Sequence, residues 1–248
     1  MAQTKKTTEK TIKKRLEFVF SKLRKYVCYA LIFFFVSTVF TVIIYRFIPV
    51  YATPLMFIRS VEQLFGDDKL SMKKEWVSID EISPNMINAV VASEDNNFML
   101  HFGFDFDAIE KAKKRNKKGS RVYGASTITQ QTAKNVFLWP KRSWVRKGLE
   151  TYFTLLIEIF WSKERIMEVY LNVIETGKGI YGVQRASQIY FDKSAAKLTQ
   201  SQAALIAGSL PNPRRFSPKA PSAYLYKRQN QIIKLMGLIG NTDLKKRW

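Results

Sequence analysis

Residues 27–45, VCYALIFFFVSTVFTVIIY, run for 19 positions without a charge. As a helix rising about 1.5 Å per residue, such a run spans roughly the hydrocarbon of a bilayer. Nine basic residues precede it (Lys5, Lys6, Lys10, Lys13, Lys14, Arg15, Lys22, Arg24 and Lys25) against Glu9 and Glu17. This bias predicts that the short tail stays in the cytoplasm and that the rest of the chain faces outward. A cleaved signal peptide is the alternative, but the run is longer than a usual h-region and no small-x-small site directly follows it. The expected organisation is a basic cytoplasmic tail over 1–25, a transmembrane helix over 26–48, a juxtamembrane stalk over 49–75 and one folded domain over 76–248.

The tail accounts for only a third of the formal charge of +21. The outward part is therefore strongly basic by itself, and its partner is expected to be anionic or to lie on an anionic surface. Nucleic acid would tolerate such charge, but the outward topology argues against it. The single cysteine, Cys28, excludes an internal disulfide, and no grouped His and Cys residues suggest a zinc site.

Beyond the span the pattern is almost wholly helical, with few alternating runs. Leu55, Met56, Ile58, Val61, Leu64 and Phe65 sit at roughly helical spacing, as for a stalk or a helix close to the bilayer. Ser83-Pro84 predicts a cap and first turn for PNMINAVVASED. Ser143 predicts a cap for WVRKGLETYFTLLIEIFW, with Val145, Leu149, Tyr152, Phe153, Leu156 and Phe160 as its apolar stripe. Thr199 and Gln202 fit a capping box before AALIAGSL, and a last helix is expected from about Ser222 to Leu238. The run KAKKRNKKGSR, 111–121, reads as a solvated loop, with contact to anionic lipid headgroups as the functional alternative.

Several residues could carry chemistry. Ile87, Val90, Val91 and Glu94 fall at i, i+3, i+4 and i+7, so Glu94 continues an apolar face. A carboxylate there is expected to be partly desolvated, which favours proton exchange near neutral pH. A glutamate at a frayed helix end has the same spacing. Asp95 points elsewhere and suits local hydrogen bonds. His101, with no serine or cysteine motif beside it, reads as structural.

In GASTITQQTAKNVFL, 124–138, a loop with Ser126 enters a helix on which Thr127, Gln131 and Lys134 share a face. That row suits a sugar or phosphate, and equally any exposed helix face. Arg142, Arg146 and Glu150 follow at intervals of four, with Lys147 adjacent. They read either as an ordinary i,i+4 ion pair or as a clamp for a doubly charged group such as pyrophosphate.

Taken together, ASEDNNFMLHFGFD, GASTITQQTAKNVFLWPKRSWVRKGLE, SKERIMEVYLNVIETGKGIYGVQRASQIYF and AALIAGSLPNPRRFSP resemble the family 51 glycosyltransferases, the peptidoglycan glycosyltransferases. The resemblance covers nearly all of residues 76–240, and no transpeptidase segment follows. It implies a mainly α, lysozyme-like fold with a membrane-embedded lobe, and residence in a bacterial inner membrane. It also implies polymerisation of lipid II and the lipid-linked growing glycan into β-1,4 strands. Inversion at the donor anomeric carbon releases undecaprenyl diphosphate.

By the same resemblance Glu94 is the general base and Glu150 the second functional glutamate, beside the donor diphosphate. Gln131, Lys134, Arg142, Arg146 and Lys147 match donor-site residues, with Ser126 and Thr127 in the same motif. A pyrophosphate leaving group needs no proton, so one base with fixed positive charge suffices, whereas a glycosidase needs two carboxylates. The sequence names no cofactor and leaves open a divalent cation, Mg or Mn, at the diphosphate. It also leaves open divisome or elongation proteins as partners.

Two rivals remain. A lytic enzyme could cut glycan with Glu94 as acid, but an uncharged polysaccharide gives the cation cluster nothing to neutralise. A silent membrane scaffold would not need both Glu94 and Glu150.

Overall fold

The structure, a computed structural model, describes residues 2–66, 70–119 and 124–244. It divides into two compact units, one ending at Tyr45 and one beginning at Arg46.

The first unit is a single helix, α1 (Ala2–Tyr45). Its Glu17–Tyr45 portion, 29 residues with mean hydropathy 2.6 in the most apolar window, is long and apolar enough to cross a membrane. The hydroxyls within it fold back on the helix. Thr38 donates to the Phe34 carbonyl at 2.7 Å and Thr41 to the Ser37 carbonyl at 2.8 Å, so no polar hydrogen of these side chains needs a partner outside.

The second unit starts with α2 (Pro54–Leu64), capped by Thr53 with Pro54 in the first turn. Leu55 and Met56 face inward, while Phe57, Val61 and Leu64 are exposed. Gln63 turns the chain back by accepting a 2.7 Å bond from Ser71 N. The chain then enters β1 (Lys73–Lys74), which pairs with β3 (Ile180–Tyr181), itself paired with β2 (Glu175–Gly177). Lys73 N donates to Gly179 O at 2.8 Å. Residues expected to form a stalk or a helix close to the bilayer thus include α2 and β1 of the compact unit that begins at Arg46. The strands, two or three residues each, are too short to leave an alternating pattern.

Helix α3 (Pro84–Glu94) begins at the expected cap, Ser83, whose hydroxyl also donates to Leu198 O at 2.9 Å. Helix α4 (Phe106–Lys118) follows, capped by Asp105. It corrects the expected loop. Residues 111–118 continue this helix, because lysine and arginine are good helix formers and Asp105 satisfies Ala108 N at 2.7 Å. The end of that basic run, 120–121, lies outside the described residues.

Helices α5 (Ile128–Phe137), α6 (Trp144–Phe160) and α7 (Lys163–Val173) come next. After the strands stand α8 (Val183–Phe191), α9 (Gln200–Ser209) and α10 (Ala223–Ile239). Thr199 and Gln202 form the expected capping box of α9, and Gly240 ends α10. Helix α3 is buried on nearly every side between α9 and α10, and α5 lies between α6 and α7. Consecutive buried residues, Met86 to Ala92 in α3 and Ala203 to Ser209 in α9, run round the whole helix and so call for a central position.

Of the stripe expected on α6, Phe153 is buried and Leu149, Tyr152, Leu156 and Phe160 are half-buried, while Val145 is 71% exposed. Arg146, Glu150, Thr154, Ile157 and Glu158 join Phe153 on the most buried face. Satisfied polar groups share the inner face, so hydrophobicity alone finds only part of it. Phe153 anchors the helix by stacking on Phe137 at 4.4 Å.

Candidate active site

The C-terminus of α3 meets the N-terminal half of α5. Asp95, the residue after α3, accepts from Ile128 N at 3.0 Å through Oδ2 and meets His101 Nε2 at 2.9 Å through Oδ1. Asp95 is thereby committed to tying one helix end to another, and His101 is structural as expected. Thr127 is the N-cap of α5, and its buried hydroxyl donates to Gly103 O at 2.7 Å. That hydroxyl is spent on shaping the helix entry rather than standing in a row with Gln131 and Lys134.

Glu94 ends α3, half-buried, and both of its oxygens are held. Gln131 Nε2 donates to Oε2 at 3.0 Å and the Ser93 hydroxyl donates to Oε1 at 3.0 Å. The Gln131 amide is oriented in turn by Tyr170, whose hydroxyl donates to Gln131 Oε1 at 3.3 Å. Tyr170 is fully buried on α7, and burial holds its phenol well above the ordinary tyrosine value, with Glu94 and Asp95 acting in the same direction. It remains a donor throughout the physiological range. Tyr170 is a part of the candidate site that sequence reasoning missed, although its segment, IMEVYLN, runs along a buried helix.

Around Glu94 lies a cavity of about 690 Å³, whose wall includes Ser93, Ser126, Gln131, Pro211, Tyr224, Lys227 and Arg228. Next to it lies a second, of about 440 Å³, and Ser126, Gln131 and Pro211 belong to both walls. The second is charged. Five cationic residues line it (Arg59, Lys134, Arg142, Arg146 and Lys147) against Glu150 and Glu175. Arg142 joins them from the loop before α6, since the helix is capped by Ser143 and starts at Trp144. It reaches the cavity without sharing the helical face of Arg146 and Glu150.

Glu150 is 4% exposed and fully engaged: Arg146 donates to one oxygen at 3.0 Å, and Lys147 to the other. Arg146 is itself buried, and its Nε has no hydrogen-bond partner among the described residues. Burial pushes the Lys134 ammonium below the ordinary lysine value; Arg146 and Lys147 push the same way, while Glu150 and Glu94 oppose. Lys134 therefore feels both carboxylates and bridges the two cavities electrostatically. At the far end Arg59 stands 3.6 Å from Glu175, whose carboxyl is raised by burial. Neither was anticipated: Arg59 comes from the segment expected to be a stalk, and Glu175 from a quoted motif in which it was given no role.

The described residues contain no group of three or more His, Cys, Asp or Glu able to hold a metal ion. What the cleft offers is a held carboxylate beside a cavity of net positive charge. Such a pair can take a proton from one group while neutralising an anion that leaves another.

Comparison with known proteins bears on that chemistry. The model of the family described as Transglycosylase matches residues 62–237. A protein of Bacteroides thetaiotaomicron named biosynthetic peptidoglycan transglycosylase is 63% identical over 218 residues, covering 88% of each chain. Proteins with the same name from Bdellovibrio bacteriovorus and Caulobacter vibrioides are 59% and 52% identical, covering 85% and 83% of this chain and 84% and 87% of their own.

Proposed function

Because the chain belongs to the transglycosylase family and is a peptidoglycan glycosyltransferase of cell-wall synthesis, we propose that its cleft joins lipid II to a lipid-linked glycan with Glu94 as base. The observation that carries this reading is the wall shared by the two cavities: Gln131 binds Glu94 and also lines the cation-rich space.

In this reading the acceptor 4-hydroxyl gives its proton to Glu94 as its oxygen attacks C1 of the donor. The C1–O bond to the diphosphate breaks, the α linkage inverts to β-1,4, and undecaprenyl diphosphate departs. The proton on Glu94 then passes to water. Lys134, Arg142, Arg146 and Lys147 neutralise the diphosphate, which needs no acid because it leaves as a stable anion. Gln131 and Ser126 hold sugar at the junction, while Thr127 shapes the loop that presents Ser126. Glu150 keeps Arg146 and Lys147 in place and is a catalytic residue only in supporting that charge.

A glycan hydrolase built on the same groups would need a second free carboxylate across the bond. Glu150 does not fit that role, because both its oxygens are taken by cations.

The tail at 1–25 is cytoplasmic in this reading, α1 crosses the bacterial inner membrane, and the folded unit is periplasmic. Support comes from the charge bias of the tail, the apolar helix, and the exposed Phe57, Leu64, Phe102, Phe106, Trp144 and Val145, which suit contact with lipid. Purified full-length protein in detergent, given lipid II, should yield glycan strands and undecaprenyl diphosphate. Reducing-end disaccharide products from preformed glycan, with no polymer from lipid II, would reject the assignment.

A further inference from the structure

The Glu94 carboxylate has a support that the reaction as written does not use. Arg228, on α10, directs one terminal guanidinium nitrogen at Ser93, 3.2 Å from its carbonyl oxygen and 3.4 Å from its hydroxyl oxygen. The Ser93 hydroxyl meets Glu94 Oε1 at 3.0 Å. The polarity of this chain is dictated by chemistry. A guanidinium can only donate and an ionised carboxylate can only accept, so the single hydroxyl hydrogen of Ser93 must point at Glu94.

We propose that Arg228 is a positioning residue for the base, acting through Ser93 to fix the Glu94 rotamer. The proposal rests on Glu94 being the base. Two consequences follow from the geometry. A hydroxyl polarised by a permanent cation donates more strongly to the carboxylate and so holds it more firmly in place. Arg228 also touches the backbone carbonyl at the last turn of α3, where the chain must end its helix and present Glu94.

The placement of Arg228 depends on a close approach of helices. A Cβ on Gly208 of α9 would stand 3.1 Å from Leu225 and 3.3 Å from Cγ of Arg228, so the absence of a side chain there lets α10 lie near enough. Other charged or titratable groups that act on Glu94 or line a cavity with it are Lys134 of α5, Tyr170 of α7, Tyr224 and Lys227 of α10, and Asp105, Lys111 and Arg115 at and along α4. Asp95 is adjacent in sequence but committed to His101 and Ile128 N. Among them only Arg228 reaches Glu94 through a hydrogen-bonded neighbour on its own helix.

The test is the steady-state rate of the full-length protein in detergent with lipid II, for Arg228→Gln, Arg228→Lys, Ser93→Ala and the Arg228→Gln/Ser93→Ala double variant. Arg228→Gln should lower kcat about tenfold, a part of what a positioned base supplies, with KM unchanged. Ser93→Ala should lower kcat in the same way, and the double variant should add nothing, because the two residues act in series. Arg228→Lys should recover part of the rate.

A lowered Tm with kcat unchanged would overturn the proposal in favour of a simple tie between α3 and α10. Raised KM with unchanged kcat would overturn it in favour of substrate contact. If Arg228→Gln does not fold, Ser93→Ala, which leaves charge and backbone intact, decides alone. Failure of the base reading would be seen separately, as polymerisation that persists in Glu94→Gln.

Discussion

Gln131 faces Glu94 at 3.0 Å through its amide nitrogen while its amide oxygen accepts from Tyr170 at 3.3 Å. A primary amide is useful here because its two ends differ: the carboxylate can only accept and so takes the nitrogen, which leaves the oxygen to accept from the Tyr170 phenol. The same residue lines the cationic cavity, so base and leaving-group site are registered to each other through one side chain.

Replacing Gln131 by Met, which keeps bulk but not the amide, should lower kcat at least about tenfold by releasing the base. It should also cost about 1–3 kcal/mol of stability, because the Tyr170 hydroxyl is left buried without an acceptor. Adding Tyr170→Phe should restore Tm without restoring rate. Thermal unfolding of the single and double variants, read beside their turnover, checks both halves.

Lys134 should give donor binding an alkaline limb that starts below the ordinary lysine range, since burial lowers its ammonium pKa. Rising pH removes its charge and raises KM. Its effect on stability has the opposite sign. The unfolded chain holds this proton more tightly than the folded one, so stability increases with pH between the lowered folded value and the ordinary lysine value of 10.5. Lys134→Arg, whose guanidinium stays charged, should abolish the alkaline rise in KM; an unchanged limb would assign it to another group.

Glu150→Ala leaves Arg146 buried and facing Lys147 without a counter-charge. Breaking a buried pair in this way costs about 3–5 kcal/mol, so Tm should fall together with activity. Glu150→Gln, which retains an acceptor but no charge, should lose less. Stability unaffected in both variants would mean that Glu150 acts directly in chemistry rather than by holding the clamp.

Gly179 has φ +65, and a Cβ there would come within 2.2 Å of the Ser71 carbonyl oxygen. Gly179→Ala should therefore detach β1 from β3 and destabilise the folded unit by about 2 kcal/mol or more. Limited proteolysis should then cut near residues 70–74 first. Resistance equal to the parent protein would favour the independent stalk that the sequence suggested.

The helices that carry the site were legible because their caps are chemical: Ser83, Ser143, Thr199 and Ser222 each satisfy a first-turn amide. Glu94 was legible as a carboxylate on an apolar face, and the cation cluster as a run of close basic residues. Other features were not readable from local pattern. Arg228, Tyr170 and Arg59 reach the cleft from helices distant in sequence, and only packing brings them there. The polar part of the inner face of α6 was missed because its charges are paired, and pairing is a tertiary fact. The basic run at 111–118 was misread as a loop because charge was weighed above helix propensity.

The most direct measurement of the central claim is polymerisation of lipid II by Glu94→Gln beside its thermal unfolding and its affinity for the lipid-linked donor. Loss of a positioned base should lower turnover by about 10²–10⁴. Glutamine keeps an acceptor for Gln131 and Ser93, so Tm should stay close to that of the parent protein, and donor binding in the cationic cavity should persist. Polymerisation at the parent rate by a folded Glu94→Gln protein would contradict the account.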